Sequence, residues 1–418
     1  MNPLISRSRR DFFPLLASVL LALAVPALAQ PSEAEALRAP KGMSERPPIR
    51  IGVSGPFSGP SAPMGLSMRD GIRIAAAEIN ASGGLLGRRI ELVERDDEAR
   101  NELGAQIVRD FVNRERVVAG LGIVNTGVAL ASQRHYQIAR IPVITSVATG
   151  TLITRQFLPP EFAENYVFRV SANDTLQAEV IADEAVRRRG FKRLAILHDA
   201  TNYGVLGSAD LIAALRQQGV EPVVVERFQL RQTDMRPHLE RARAAGAQAV
   251  LTYGIGPELA HIANAIARMG WQVPIIGSWT LAMSNFIEIA GRNAEGARMP
   301  QTFIQEPRSP QQAAFLERWR ATTGRARIPV APAAAQGYDS MLLLAAAIRQ
   351  AGSLEGPRIR EALENLETTV EGVIMRYHRP FSADNHETLH SAQEIHLGEI
   401  RNGEVVFARA AERAGTAE

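Results

Sequence analysis

Residues 386–390 read His386-Glu387-Thr388-Leu389-His390, an H-E-x-x-H pattern. On a helix this spacing sets two imidazoles on one face, ready to hold zinc, with the glutamate beside them as the base of a peptidase. That chemistry needs a long helix and a third ligand. Residues 381–384, Phe-Ser-Ala-Asp, are a turn signal, and His396 and Glu399 fall in what reads as a terminal strand. The expectation is therefore a polar surface loop without metal, with a zinc peptidase as the rival reading. His198-Asp199 plus a serine is the other enzymatic option, but the chain has no G-x-S-x-G elbow. No catalytic residue, metal site or cofactor is expected, and the chain is read as a binder rather than an enzyme.

Two polar turns suit binding better. Gly120-Leu-Gly122-Ile-Val-Asn125-Thr126-Gly127 follows an apolar run and opens a helical pattern. Asn125 stands where a dinucleotide fingerprint would have its third glycine, and no Gly-Lys-Ser/Thr loop occurs. What remains is a strand, a small turn and a helix N-terminus whose free amides can take an anion. The plainer alternative is a helix cap by Thr126. The next apolar run ends in Thr145-Ser146-Val147-Ala148-Thr149-Gly150. Both turns close parallel strands at their carboxyl ends, where α/β folds bind ligands.

The surrounding elements must position these turns. Residues 1–29 read as an export signal: Arg7, Arg9 and Arg10, an apolar run over 15–23, and Ala27-Leu28-Ala29 as a cleavage site. Ser8-Arg9-Arg10-Asp11-Phe12-Phe13 fits the twin-arginine pattern. The apolar run is too short to span a membrane. Residues 30–48 read as a flexible leader. The signal holds three Arg and one Asp, so the formal charge of +3 falls to about +1 once it is removed, which gives no electrostatic case for nucleic acid. There are no cysteines, which excludes disulfides, thiolate metal sites and a cysteine nucleophile.

From residue 49 strands and helices alternate: strands near 49–54, 89–95, 117–123 and 142–145, with helices over 66–80, 102–113 and 128–139. The pattern restarts with strands near 166–170, 194–198, 223–228, 249–253 and 274–278, and helices after Asn173 and over 205–217, 235–245 and 259–269. Apolar strands separated by helices imply parallel sheets covered on both faces, so the expected class is α/β with two doubly wound, Rossmann-like lobes. A strand near 299–304, helices over 311–322, 334–350 and 358–365, and strands near 372–377, 394–399 and 404–408 complete the chain.

The ordered stretches "IRIGVSGPFSGP", "AAAEINASGGLLGRRIELVERDDEA", "IPVITSVAT", "YVFRVSANDTLQAE", "LAILHDATNYG" and "GYDSMLLLAAAI" resemble the periplasmic leucine/isoleucine/valine-binding proteins of ABC transporters, over roughly 49–408. The resemblance implies a type I periplasmic-binding-protein clamshell with a three-crossover hinge. Lobe one would be 49–168 and 298–371, and lobe two 169–297 and 372–412, with a tail over 413–418. Asn125, Thr126 and the turn Val147, Ala148 and Thr149 would hold a ligand carboxylate. Tyr203 and the turn Gly254-Ile255-Gly256 would face it from the second lobe. The family's acid, which pairs with a ligand ammonium, is replaced here by Trp279 in "GSWT"; Glu258 and Glu288 lie near it in helical sequence. Met64 stands where the family often has tyrosine, which makes the cleft more apolar. The implied partners are a small ligand and an ABC permease, for a periplasmic monomer; an extracellular sensor with the same fold is the alternative.

Overall fold

The computed structural model describes residues 46–158 and 160–414. The expected signal, all but the last three residues of the expected leader, and the end of the expected tail lie outside those residues.

Strands β1 (Ile49–Gly55), β2 (Ile90–Asp96), β3 (Ala119–Gly122), β4 (Val143–Thr145) and β5 (Val167–Arg169) form one parallel sheet in the order β2-β1-β3-β4-β5. Strands β6 (Leu194–Asp199), β7 (Val224–Phe228), β8 (Ala249–Tyr253), β9 (Ile275–Gly277) and β10 (Arg298–Gln301) repeat that order as β7-β6-β8-β9-β10. The hairpin β13 (His396–Arg401) and β14 (Glu404–Phe407) then adds antiparallel to β10, giving seven strands. Every residue of β6 and β8 is buried, as expected of strands covered on both faces. Two doubly wound sheets in one chain are the architecture expected.

The first sheet is covered by α1 (Ala62–Ala81), α2 (Asn101–Asp110) and α3 (Thr126–Ala139), and the second by α4 (Asp174–Ala182), α5 (Asn202–Gln217), α6 (Arg236–Ala244), α7 (Gly256–Arg268) and α8 (Ser284–Ala290). After β10 the chain returns to the first lobe as α9 (Pro310–Thr323), α10 (Ala331–Ala351) and α11 (Gly356–Glu364). Helix α10 packs on α1 through glycines. A Cβ on Gly71 would stand 2.0 Å from the Ala334 carbonyl oxygen, and one on Gly337 2.2 Å from that of Met68. Only glycine permits this approach.

Several helices begin three or four residues before the sequence expectation: α1 at Ala62, α5 at Asn202, α7 at Gly256 and α10 at Ala331. In α1, α7 and α10 a proline occupies the first turn, where its missing N–H costs nothing. Apolar periodicity sees a helix only from its first packed residue.

The surface loop expected at the H-E-x-x-H stretch is instead a buried, extended strap. His386 is buried and stacks on Phe168, with centroids 3.9 Å apart. Its Nδ1 contacts the Val167 carbonyl at 2.9 Å and its Nε2 contacts Glu364 Oε1 at 3.2 Å. Arg169 N–H donates to the His386 carbonyl at 2.9 Å, and Thr388 N–H donates to that of Arg169 at 3.2 Å. The strap thus pairs with the open edge of β5. Both ring nitrogens of His386 are engaged, and among the described residues no cluster of three or more His, Cys, Asp or Glu suits a metal.

The crossings also differ from the expected boundaries. Strand β10 belongs to the second sheet, so the chain crosses back only after Gln301. The hairpin β11 (Val370–Glu371) and β12 (Arg376–Tyr377) stays with the first lobe, because Asp339 of α10 accepts from Val373 N–H, Ile374 N–H and the Tyr377 hydroxyl. The strap keeps the chain there through Thr388. The three crossings therefore fall at about 170–173, 302–309 and 389–395.

Candidate functional site

The turn between β3 and α3 is strained. Ile123 has φ 62, and its side chain is fully buried. A β-branched residue in the left-handed region is an outlier held by its surroundings. Here Ile123 N–H donates to the Ser54 carbonyl at 2.8 Å, and the Ile123 carbonyl accepts from Ala148 N–H at 3.0 Å. This exchange locks the 123–126 turn to the 146–149 turn, with Ser146 N–H bonded to the Gly122 carbonyl at 2.7 Å. Thr126 then opens α3 with Asn125 as its cap residue, though the Asn125 side chain makes no cap bond. Asn125 Nδ2 instead donates to Ser61 Oγ at 3.3 Å.

The two turns are in contact: a Cβ on Gly150 would lie 2.4 Å from Thr126 Cγ2. Thr126 is buried, and among the described residues its hydroxyl has no hydrogen-bond partner; nor does Asn125 Oδ1. Buried polar groups are nearly always paired, so such an exception is a candidate contact for a water, an ion or a ligand. Val147 and Ala148 contribute differently. Both side chains are core, and the Ala148 N–H and carbonyl are taken by Ile123 and by the Ser171 hydroxyl. Ala148 thus positions the turn and has no polar group left to offer.

The second lobe approaches the same place. A Cβ on Gly127 would stand 2.6 Å from Asn101 Oδ1 and 2.9 Å from Asn202 Oδ1, so α2, α3 and α5 converge there and only a bare backbone fits. Asn285 Nδ2 donates to the Pro60 carbonyl at 2.9 Å, and Thr151 Oγ1 to Asp210 Oδ2 at 2.8 Å, both from one lobe to the other. Tyr203 packs on Tyr253 with centroids 5.2 Å apart. Its hydroxyl lies beside those of Ser278 and Thr280 without a well-formed bond. Gly254 and Gly256 serve packing. A Cβ on Gly254 would meet Phe228 at 2.9 Å, and one on Gly256 would meet Asn285 Oδ1 at 2.3 Å, while Ile255 is the cap residue of α7. Glu258 is buried and accepts from Arg231 N–H, and Glu288 is exposed. Met64 is buried in the main core.

Trp279 and Thr149 line one small recess of about 10 Å³, room for a single water or hydroxyl group, together with Ala172, Gln177, Gln301 and Gln336 among others. Trp279 N–H donates to Gln177 Oε1 at 3.2 Å, and its carbonyl accepts from Gln301 Nε2 at 3.3 Å. Sequence reasoning missed Asp174, the first residue of α4. It is fully buried, accepts from the Tyr253 hydroxyl at Oδ1 (3.1 Å), and its N–H donates to the Thr149 carbonyl at 2.9 Å. Burial pushes its carboxyl up to about 7, with Thr149 opposing and Asp210 adding to the rise. An Asp in the first turn of a helix looks like ordinary dipole complementation, so nothing in the sequence marked it. Asp199 is likewise pushed up to about 6 by burial, against its bonds from Thr201.

Two doubly wound lobes joined by three crossings are the architecture of a solute-binding clamshell. The family model described as periplasmic binding protein matches residues 48–403, and the chain belongs to that family. It is 28% identical over 308 residues to the Leu/Ile/Val-binding protein homolog 3 of Brucella melitensis, covering 73% of this chain and 80% of that one. The branched-chain amino acid transporter substrate-binding protein LivJ of Streptococcus pneumoniae, solved with isoleucine, aligns with a TM-score of 0.75 at 25% identity, over 86% of this chain and 98% of that one. An ABC-transporter solute-binding protein from R. palustris, solved with 4-hydroxybenzoate, gives 0.74 at 20% identity, over 86% and 95%. The chain is thus a substrate-binding protein of the ABC-transporter type, from a family of binding proteins found outside the cytoplasmic membrane. No described helix is long and apolar enough to cross a membrane.

Proposed function

We propose that the chain binds one small carboxylate-bearing ligand between its lobes and delivers it to an ABC permease, without catalysing a reaction. The observation that carries this reading is Thr126. Its hydroxyl is buried, has no partner among the described residues, and opens a helix of 14 residues whose N-terminal amides favour an anion. Asn125 and Thr149 complete the first-lobe side, on a turn held by the buried Val147 and Ala148. Tyr203 and Trp279 form the second, beside the close-packed turn of Gly254 to Gly256. The lobes move as 49–169 with 310–388 against 174–301 with 396–412.

The ligand is an apolar or aromatic acid, or an amide, with no essential ammonium. Among the structural relatives, the bound ligands include isoleucine and 4-hydroxybenzoate. Trp279 favours the second kind, since it offers an aromatic face and one N–H but no charge. Burying an unpaired ammonium costs several kcal/mol, while a cation–π contact returns ~0.5–2 kcal/mol. Asp174 is a buried acid bonded to the Thr149 turn, but burial holds it towards its neutral form and Tyr253 occupies one oxygen. Calorimetry with leucine, isoleucine and valine against the same acids lacking the amino group tests this. Tight leucine binding with a far weaker deaminated analogue rejects it, and loss of that preference in Asp174→Asn would name the ammonium partner.

Export follows the twin-arginine route to the periplasm, supported by Ser8-Arg9-Arg10-Asp11-Phe12-Phe13. Changing Arg9 and Arg10 to Lys should leave precursor in the cytoplasm; normal export of that variant rejects the route. The mature chain acts as a monomer, which light scattering with and without ligand would check.

A further inference from the structure

The recess lined by Thr149 and Trp279 is built from every part of the hinge. Ala172 belongs to the first crossing, Thr302 to the second and Ile395 to the third; Pro300 and Gln301 end β10, and Pro332 and Gln336 begin α10. Two buried amides line it. Gln301 donates from Nε2 to the carbonyls of Trp279 (3.3 Å) and Pro300 (2.7 Å). Neither carbonyl can donate in return, so the amide has one orientation and Oε1 is an acceptor by elimination. Gln336 donates to Thr302 Oγ1 at 3.1 Å. Gln301 and Gln336 are both over nine-tenths buried, and among the described residues neither Oε1 has a partner.

We infer that this recess is a distal-group subsite in which Gln301 and Gln336 select ligands carrying a hydrogen-bond donor, a hydroxyl or an amide N–H, at the end remote from the carboxylate. The inference rests on the carboxylate site proposed above, since Thr149 is common to both. An acceptor left unpaired in a closed cleft penalises a ligand that fills the recess with a methyl group, and sites built to bond a hydroxyl discriminate strongly against analogues that lack it. Because the recess touches all three crossings, a bond made there also favours the closed lobes.

Calorimetry on the mature chain with two probes, 4-hydroxybenzoate and 4-methylbenzoate, tests this directly. The expected result is at least tenfold tighter binding of the hydroxy acid. Gln301→Met should cut that ratio to below about threefold, and Gln336→Met should reduce it independently, so the inference survives if one variant fails to fold. Equal affinity of the two acids, or an undiminished ratio in both folded variants, overturns the subsite while leaving the carboxylate site standing. Binding of neither acid overturns the subsite, and if simple aliphatic carboxylates also fail to bind, the carboxylate reading falls with it.

Discussion

Arg169, fully buried at the end of β5, places its guanidinium on the carboxylate of Glu387, with Nε to Oε2 at 2.8 Å, while its Nη1 donates to the Gly150 carbonyl at 2.7 Å. One side chain thereby ties together the first crossing, the strap before the third crossing and the turn that carries Thr149. Removing one member of a buried pair strands the other charge. Glu387→Ala should lower the unfolding free energy by about 3–5 kcal/mol in denaturant titrations. A loss under ~1 kcal/mol would mean that water reaches Arg169.

The two histidines of the strap should behave differently. His386 is buried and stacked, whereas His390 is exposed. His386→Ala should cost about 2 kcal/mol and His390→Ala less than about 0.5 kcal/mol, with ligand affinity unchanged in both. Metal analysis of purified protein should find no stoichiometric zinc. One zinc per chain, lost in the double variant, would restore the peptidase reading.

Thr126→Ala should weaken carboxylate binding tenfold or more, since a hydrogen bond to a charged group is worth about 1.5–3 kcal/mol. Thr126→Ser should recover most of that loss, because it keeps the hydroxyl. Calorimetry that finds the alanine variant unchanged would take this turn out of the site.

Stability should fall as pH rises from about 4 to 7. Burial pushes Asp97, Asp174 and Asp339 up to about 7 and Asp199 up to about 6. Carboxyls with raised folded pKa values stabilise the fold while protonated. That stability is complete below the unfolded value near 3.9 and is lost as pH climbs through the folded one, by up to ~1.4 kcal/mol per pH unit for each group. Glu184 acts in the opposite sense. Although burial raises it, its bonds from Arg189, Arg409 and Arg298 hold it below the usual range, so its contribution is lost in acid. Melting temperature should therefore peak near pH 4, and Asp174→Asn should flatten the fall between pH 4 and 7. A melting temperature that rises between pH 4 and 7 would contradict the assignment.

The sequence by itself determined the two doubly wound lobes, because buried parallel strands must be continuous apolar runs separated by helices. It also singled out the polar turns at Thr126 and Thr149, since the carboxyl ends of such strands can be located from local patterning alone. It did not determine what covers the edge of β5. The strap carrying His386 looks polar in isolation and becomes core only because Phe168, Glu364 and Arg169 receive it. The hinge recess was equally invisible: Thr149, Gln177, Trp279, Gln301 and Gln336 come from distant parts of the chain, and no spacing relates them. Asp174 looked like an ordinary helix-start acid until Tyr253 and Thr149 enclosed it. Local periodicity records which face of an element is apolar. Which distant segment packs on that face, and which polar atoms are left unpaired when it does, is decided only when the chain closes on itself.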